Sequence, residues 1–335
     1  MLRLVFPWLL AFAFLPGCSQ SSTPAPSTPD TSKSTSPDRS QPSNDSTKGE
    51  IRGVIGLSIL TTANPFFPEI GRTLKEEAAK HGYQVEMVSG EMDVAKQRDQ
   101  VKDFLVKKVA AIVLTPCDSR AIGTAIQDAN QAGIPVFTAD IACIAPEANV
   151  VTHIATDNYA GGKQAALAIF EALEGKGKVA ILDFPQVESV MLRTKGFYDQ
   201  LKDLTEKQNA QIEVVASLPG DGAKDKSFKA MQDLLQAHPD LRGVFAINDP
   251  SALGACLAIE AAGRQKEVVV VGFDGQPDGR RAIEEGKIYA DPVQFPDRIG
   301  QETMRTIVRY FDGQEVPKEI LIPTELVRQS KTAQP

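Results

Sequence analysis

Residues 268–275 read Val-Val-Val-Val-Gly-Phe-Asp-Gly, and this stretch decides the fold class. Four consecutive β-branched apolar residues are typical of a parallel strand that helices cover on both faces. The polar loop after them leads into a predicted helix at 278–285. A strand, a polar loop and a helix in quick succession indicate one unit of a doubly wound α/β sheet.

The same alternation runs through the chain from residue 51 onward. The predicted strands are 53–60, 83–88, 110–114, 134–138 and 150–155, then 178–182, 212–217, 243–247, 268–272 and 287–290. Helices are predicted between them, including one at 119–132, and a last helix at 298–311 precedes short extended pieces at 320–327. Because the cycle occurs twice, the sequence predicts two similar α/β lobes with doubly wound parallel sheets.

The first eighteen residues have the features of a lipoprotein signal peptide. Arg3 supplies the positive start, residues 4–15 form an apolar run, and Leu15-Pro16-Gly17-Cys18 ends it. The run is shorter than the ~20 residues that cross a bilayer. We expect Cys18 to be acylated and to hold the protein at a membrane through its lipid alone. An ordinary signal peptide with an incidental cysteine is the alternative.

Residues 19–50 are almost entirely Ser, Thr, Pro, Asp, Gln and Lys, with no apolar side chain larger than alanine. Such a segment buries too little surface to offset its ordering entropy, so it is predicted to be a disordered tether. The net charge is −7 and no long basic block occurs, which argues against a nucleic-acid partner. We expect a monomer in the periplasm or at the cell surface.

No catalytic or metal motif is present in the sequence. There is no GxSxG elbow, no phosphate-binding loop and no HExxH, and the three histidines are far apart. We therefore expect no enzymatic activity, no metal and no cofactor. Cys117 and Cys143 each follow a predicted strand, so a disulfide between them is possible in an oxidising compartment, although two free thiols are slightly favoured.

The predicted strand-to-helix loops are rich in single Asn, Asp and Gln residues beside aromatic ones. Such loops lie beyond the carboxyl ends of the strands, where doubly wound sheets bind their ligands. Carboxylates and amides pair with hydroxyls, and flat rings cover the apolar face of a sugar ring. The loops concerned are 61–67, 115–119, 139–142, 183–186, 248–249, 273–275 and 294–297. Together they predict a site for a polyhydroxylated ligand.

Residues 51–329 resemble the periplasmic sugar-binding proteins of ABC transporters, specifically the ribose-binding type. The matching stretches are Ala63-Asn64-Pro65-Phe66-Phe67, His153-Ile154-Ala155-Thr156-Asp157-Asn158, Ala237-His238-Pro239-Asp240, Val244-Phe245-Ala246-Ile247-Asn248-Asp249, 271–279 and Gln294-Phe295-Pro296-Asp297. The resemblance implies a non-enzymatic protein that captures a sugar or polyol and delivers it to an ABC permease. A sensory subunit that presents a sugar or furanone signal to a chemoreceptor or sensor kinase is the alternative.

The resemblance also implies how the two lobes are assembled. The first lobe would comprise 51–156 and 295–323, and the second 157–294 and 324–335. Three crossings would form the hinge, and they fall on Thr156, Asp157, Phe295, Pro323 and Thr324. The ligand would bind between the lobes, which would close on it.

Site residues follow from the same resemblance, position by position. The ligand-contacting positions that keep the family's residue are Asn64, Phe66, Phe67, Asp140, Asn248, Asp274 and Gln294. Further candidates for ligand contact are Thr115, Asp183, Gln186, Glu188 and Arg193.

Three positions depart from the ribose-binding pattern. An arginine after the first-lobe aspartate is replaced by Ile141, a second arginine falls on Met191 with Arg193 nearby, and a second-lobe aromatic residue falls on Gly222. Isoleucine and methionine cannot replace the several donors of a guanidinium. We therefore expect a ligand other than ribose, such as another pentose, a hexose, a polyol or an amino sugar.

Overall fold

Two six-stranded sheets organise the protein, which a computed structural model describes over residues 51–329. Cys18, the predicted tether and residues 330–335 lie outside that range. In chain order the strands are β1 Gly53–Ile59, β2 Tyr83–Ser89, β3 Ala111–Leu114, β4 Val136–Ala139, β5 His153–Thr156, β6 Lys176–Asp183, β7 Gln211–Pro219, β8 Leu241–Ala246, β9 Val269–Val271, β10 Ala290–Val293, β11 Glu319–Ile322 and β12 Glu325–Arg328.

Nine helices pack on these sheets within the described range. They are α1 Phe66–Lys80, α2 Val94–Lys107, α3 Gly123–Gln131, α4 Asn158–Ala172, α5 Glu188–Gln208, α6 Lys224–Ala237, α7 Asp249–Ala261, α8 Pro277–Glu284 and α9 Pro296–Phe311. Helix α9 packs against α1 on the first sheet, while α4 packs against α5 and the strands of the second sheet. None of the helices described is long and apolar enough to cross a bilayer.

The two sheets have the same strand order. The first runs β11-β5-β4-β3-β1-β2 and the second β12-β10-β9-β8-β6-β7. Neighbouring strands are parallel except for the antiparallel pair of β10 and β12. Strands β3 and β4 are buried at every position, as expected for parallel strands with helices on both faces. The predicted α/β class with two similar doubly wound sheets is confirmed.

The chain passes between the sheets at three places. Asp157 separates β5 from α4 and caps that helix, since its carboxylate accepts a hydrogen bond from the Ala160 N–H at 2.9 Å. Phe295 stands between β10 and α9, and the pair 323–324 joins β11 to β12. The residues proposed as hinges lie at these three crossings, and rotation about them remains a prediction.

Several element boundaries differ from those expected, and two of them have a clear cause in the backbone contacts. The helix predicted at 119–132 begins only at Gly123, because residues 119–122 form turns whose backbone contacts other segments. The strand predicted at 287–290 is instead Ala290–Val293. Here Lys287 and Ile288 still donate to the Ala282 carbonyl, which extends the end of α8 before the strand begins.

Cys117 and Cys143 are free thiols in the structure, so the disulfide considered from the sequence does not form. Cys117 is buried and Cys143 is half-buried. Burial raises the pKa of the Cys117 thiol to about 12, which leaves it protonated and unreactive at neutral pH.

Candidate functional site

A small cavity lies where the carboxyl ends of the two sheets face each other. Its volume is about 30 Å³, enough for two or three water molecules. The residues that line it are Leu60, Asn64, Phe66, Phe67, Asp140 and Ile141 from the first lobe, and Phe184, Val187, Ser189, Val190, Arg193, Asn248, Asp274 and Gln294 from the second. All seven positions that keep the identity of the sugar-binding family are among them.

Asp140 and Asp274 occupy equivalent places in the two lobes. Asp140 follows β4 and donates its N–H to the Ile154 carbonyl on β5 at 2.8 Å, while Asp274 follows β9 and donates to Pro292 on β10 at 3.1 Å. Both residues have positive φ, 64° and 102°. For side chains other than glycine such a backbone costs about 1–3 kcal/mol, and it is concentrated at functional sites.

Arg193 supplies the positive charge of the cavity. Its Nε donates to Asn158 Oδ1 at 2.8 Å and its Nη1 to the Ile247 carbonyl at 2.7 Å. The same Nη1 lies 3.4 Å from Asp274 Oδ1, and the guanidinium stacks 3.9 Å above the centre of the Phe273 ring. The residue is 4 % exposed, so helix α5 holds a buried cation beside a buried carboxylate.

Met191, which the sequence comparison placed opposite a family arginine, is half-buried and does not line the cavity. Met191 and Arg193 are two residues apart on α5, so they point to different sides of the helix. The predicted loss of a guanidinium at this side of the site is therefore wrong, because Arg193 provides one.

Burial dominates the protonation of the two aspartates. It raises the pKa of Asp140 to about 7, against the attraction of Arg193. Burial also raises the pKa of Asp274, and here Arg193 together with hydrogen bonds from Gln294 and Asn64 opposes the shift. The Gln294 Nε2 donates to Asp274 Oδ1 at 2.6 Å. The charged form of Asp274 is thus stabilised by more protein contacts than the charged form of Asp140.

Two fully buried acceptor atoms of the lining side chains have no hydrogen-bond partner among the described residues. They are Asp140 Oδ1 and Gln294 Oε1. A buried carboxylate or amide oxygen without a donor is costly, so both atoms are suited to accept hydroxyl or amine protons from a ligand.

Aromatic rings come from both lobes. Phe66 and Phe67 begin α1 and meet edge to face, with 5.3 Å between ring centres, and Asn64 Oδ1 accepts from the Phe66 N–H at 3.0 Å. Phe184, directly after β6, provides the ring of the second lobe.

Gly222, where an aromatic residue was expected, does not line the cavity. A Cβ at this position would lie 3.5 Å from the Phe184 ring and 3.0 Å from Asn248 Nδ2. The ring of Phe184 therefore stands next to the place of the missing aromatic side chain, and the Gly222 carbonyl accepts from Asn248 Nδ2 at 3.1 Å.

Other candidates from the sequence serve structural contacts outside the cavity. Thr115 Oγ1 accepts from the Leu60 N–H at 2.5 Å, and Asp183 accepts from Thr194 and Ser217. The Gln186 side chain is exposed. These residues are not placed to touch a ligand in the cavity.

Ser119 links the first lobe to the start of α5. Its N–H donates to the Gln186 carbonyl at 3.0 Å, and its Oγ accepts from the Glu188 N–H at 2.8 Å. Burial raises the pKa of Glu188, whose Oε2 has no hydrogen-bond partner among the residues described. Glu188 thus lies in the interface between the lobes and outside the cavity.

Four lining residues lie outside the candidates named from the sequence: Leu60, Val187, Ser189 and Val190. Phe184 lies in the candidate loop 183–186, although it was not singled out as a ligand contact. The others are apolar or small residues whose role depends on how α5 meets the first lobe.

A second acidic pair lies beside Asp274, inside the second lobe. The buried carboxyl groups of Asp249 and Asp291 influence each other's protonation, and burial raises the pKa of both. Gly279 and Gly272 make room for them, since added Cβ atoms would lie 2.1 Å from Asp249 Oδ1 and 2.3 Å from Asp291 Oδ1. Two carboxyl groups this close share a proton.

Residues 55–315 match the family described as periplasmic binding protein domain. The chain is 36 % identical over 294 residues to the ribose import binding protein RbsB of Bacillus subtilis, covering 88 % of this chain and 92 % of that protein. It is 37 % identical over 277 residues to RbsB of Escherichia coli, covering 82 % and 90 %.

Solved structures share the fold. An ABC transporter solute-binding protein from Agrobacterium vitis with bound D-fucose superposes with a TM-score of 0.77 at 27 % identity, covering 84 % of this chain and 98 % of that one. One from Actinobacillus succinogenes with bound D-allose gives a TM-score of 0.75 at 27 % identity, covering 82 % and 97 %.

Proposed function

The chain belongs to the periplasmic binding protein family, and from this premise we propose that it captures a sugar or polyol outside the cytoplasm and delivers it to an ABC importer. The relatives are named as import binding proteins, which favours transport over sensing and over catalysis. One observation carries the proposal most strongly. Asp140 Oδ1 and Gln294 Oε1, unpartnered acceptors from the two lobes, line one cavity together with aromatic rings.

Binding requires the lobes to move apart. A cavity of about 30 Å³ admits a few waters and no sugar ring, so the ligand enters when the crossings at 157, 295 and 323–324 let the lobes separate. A sugar that bonds to Asp140 on one lobe and to Gln294 on the other then stabilises the closed form. The permease would recognise this closed form.

The predicted lipid on Cys18 and the tether at 19–50 complete the proposal. A lipid anchor would keep the binding lobes near the permease while the tether leaves them free to open and close. Mass spectrometry of the N-terminal peptide from membranes tests this part. A diacyl- or triacyl-modified Cys18 is expected, and an unmodified cysteine in a released protein would contradict it.

Isothermal titration with pentoses, hexoses and polyols tests the function. We expect at least one sugar to bind, and Gln294→Ala to weaken that binding. Gln186→Ala is the matched control, because this glutamine also follows a strand of the second sheet but its side chain is exposed. Absence of binding by every sugar and polyol to the unliganded protein would contradict the proposal.

A further inference from the structure

Part of the cavity lining is apolar. Ile141 from the first lobe, Val187 directly before α5 and Val190 in its first turn all line the cavity, and these three side chains, here called the wall, are 1 %, 2 % and 3 % exposed. Leu60 and Phe184 line the same cavity and belong with them to one cluster of buried hydrophobic side chains. Ser189 is the one polar side chain that the first turn of α5 contributes to the lining.

Several polar side chains of the cavity already bond to the protein. Asn248 uses its Oδ1 for the Ser251 N–H and its Nδ2 for the Gly222 carbonyl. Asn64 bonds to Phe66 and, over 3.5 Å, to Asp274. Arg193 uses its Nε and Nη1 for Asn158, Ile247 and Asp274, which leaves its Nη2 as a donor for a ligand oxygen.

Asp140 Oδ1 and Gln294 Oε1 are the fully buried acceptors of the lining that have no partner among the described residues. A ligand hydroxyl that points to these residues finds a partner. A hydroxyl that points to Ile141, Val187 or Val190 finds none, and a buried hydroxyl without a partner weakens binding.

Building on the proposed sugar site, we propose that the ligand is a sugar with a hydroxyl-free edge, that is, a deoxysugar whose methyl or methylene group packs on the wall of Ile141, Val187 and Val190. Its remaining hydroxyls donate to Asp140 and Gln294. The wall then determines specificity by rejecting the fully hydroxylated sugar, since its extra hydroxyl would lose water without gaining a protein partner.

Titration with matched sugar pairs tests this specificity. Suitable pairs are D-galactose with D-fucose, L-mannose with L-rhamnose, D-ribose with 2-deoxy-D-ribose, and D-ribose with 5-deoxy-D-ribose. In the pair that contains the tightest ligand, we expect the deoxy member to bind about tenfold more tightly or better. Equal or tighter binding of the hydroxylated member in every pair would overturn the inference while leaving the proposed function intact.

A variant of the wall provides a second readout. Val190→Thr keeps the shape of the side chain and adds a hydroxyl, so it should reduce the preference for the deoxy member severalfold. Val106→Thr is the control, because Val106 is 82 % exposed on α2. An unchanged preference in Val190→Thr would overturn the role of the wall. If neither member of any pair binds but another sugar or a polyol does, the inference alone fails, and if no sugar or polyol binds, it fails together with the proposed function.

Discussion

Asn64 of the first lobe donates to Asp274 of the second, with 3.5 Å between Nδ2 and Oδ2. The contact is long, so a ligand hydroxyl can replace it at little cost. Asp274 also accepts from Gln294 and lies against Arg193, which makes it the point where both lobes and the buried cation meet.

Asp274→Asn should weaken sugar binding by about 10- to 100-fold, because the Asp274 carboxylate holds the Gln294 amide whose Oε1 meets the ligand, and hydrogen bonds to a charged group contribute roughly 1.5–3 kcal/mol. Isothermal titration measures the effect. Asp225→Asn, on the exposed side of α6, is the matched control. Unchanged affinity of Asp274→Asn would show that this carboxylate does not position the Gln294 amide for the ligand.

Sugar affinity should depend on pH through Asp140. Burial holds its pKa at about 7, and hydroxyl donors of a ligand favour the charged form, so binding near neutral pH releases a proton. Affinity should therefore fall as the pH is lowered from about 8 to about 6. In Asp140→Asn, sugar affinity should no longer depend on pH over this range. If the affinity of the wild type does not change between these pH values, the ligand does not bind to the charged form of Asp140.

Removal of Arg193 should destabilise the fold strongly. Arg193→Met leaves Asp274 buried beside no cation, and breaking a buried ion pair in this way costs about 3–5 kcal/mol. Urea unfolding of the ligand-free protein measures the loss. Met191→Ala, two residues away on the same helix, should cost much less, because its half-buried side chain is outside the cavity. If the two variants lose similar amounts of unfolding free energy, the ion pair of Arg193 with Asp274 does not stabilise the fold as claimed.

The Asp249–Asp291 pair should make the protein less stable as the pH rises. Burial raises the pKa of both carboxyl groups above the value in the unfolded chain. Their contribution to the stability of the folded protein is therefore full at low pH, where both groups are protonated, and it is lost as the pH rises through the raised pKa values. Asp291→Asn removes this loss and should be more stable than the wild type at about pH 8, by about 1–3 kcal/mol.

Thermal unfolding from acid to alkaline pH measures the difference, with Asp225→Asn as the exposed control. The wild type and Asp291→Asn should converge at low pH, where the carboxyl groups are protonated. A variant that loses stability at every pH would instead show that the pair has a purely structural role.

The link between the lobes at Ser119 should support the closed form. Ser119→Ala removes the bond from the Glu188 N–H, which is worth about 1 kcal/mol, so sugar affinity should fall about threefold to tenfold, mainly through faster release. Stopped-flow dissociation measures this. Ser217→Ala, which removes a bond to Asp183 within the second lobe, should leave release unchanged. Equal release rates in wild type and Ser119→Ala would contradict the role of the link.

The sequence predicted the fold class well because βα alternation and buried apolar strands are local signals. It also located Asn64, Asp140, Asn248, Asp274 and Gln294, because polar residues after parallel strands converge at one edge of each sheet.

Features that depend on side-chain direction were harder to predict. Matching by position placed Met191 where the ribose-binding type has an arginine. In the structure, Arg193, two residues further along helix α5, is the residue that lines the cavity. The loop 248–249 was expected at the site, yet only Asn248 lines the cavity, while Asp249 interacts with Asp291 inside the second lobe. The Phe184 ring lies next to Gly222, the position where the ribose-binding pattern has an aromatic residue. An aromatic ring near this place therefore comes from a different loop, which position-by-position matching does not reveal.

A crystal structure with the tightest-binding sugar from the titrations tests the central claim most directly. The account predicts the sugar between the two lobes, with hydroxyl oxygens within about 3 Å of Asp140 Oδ1 and Gln294 Oε1. A sugar bound elsewhere, or one in the cavity that contacts neither of these atoms, would contradict it.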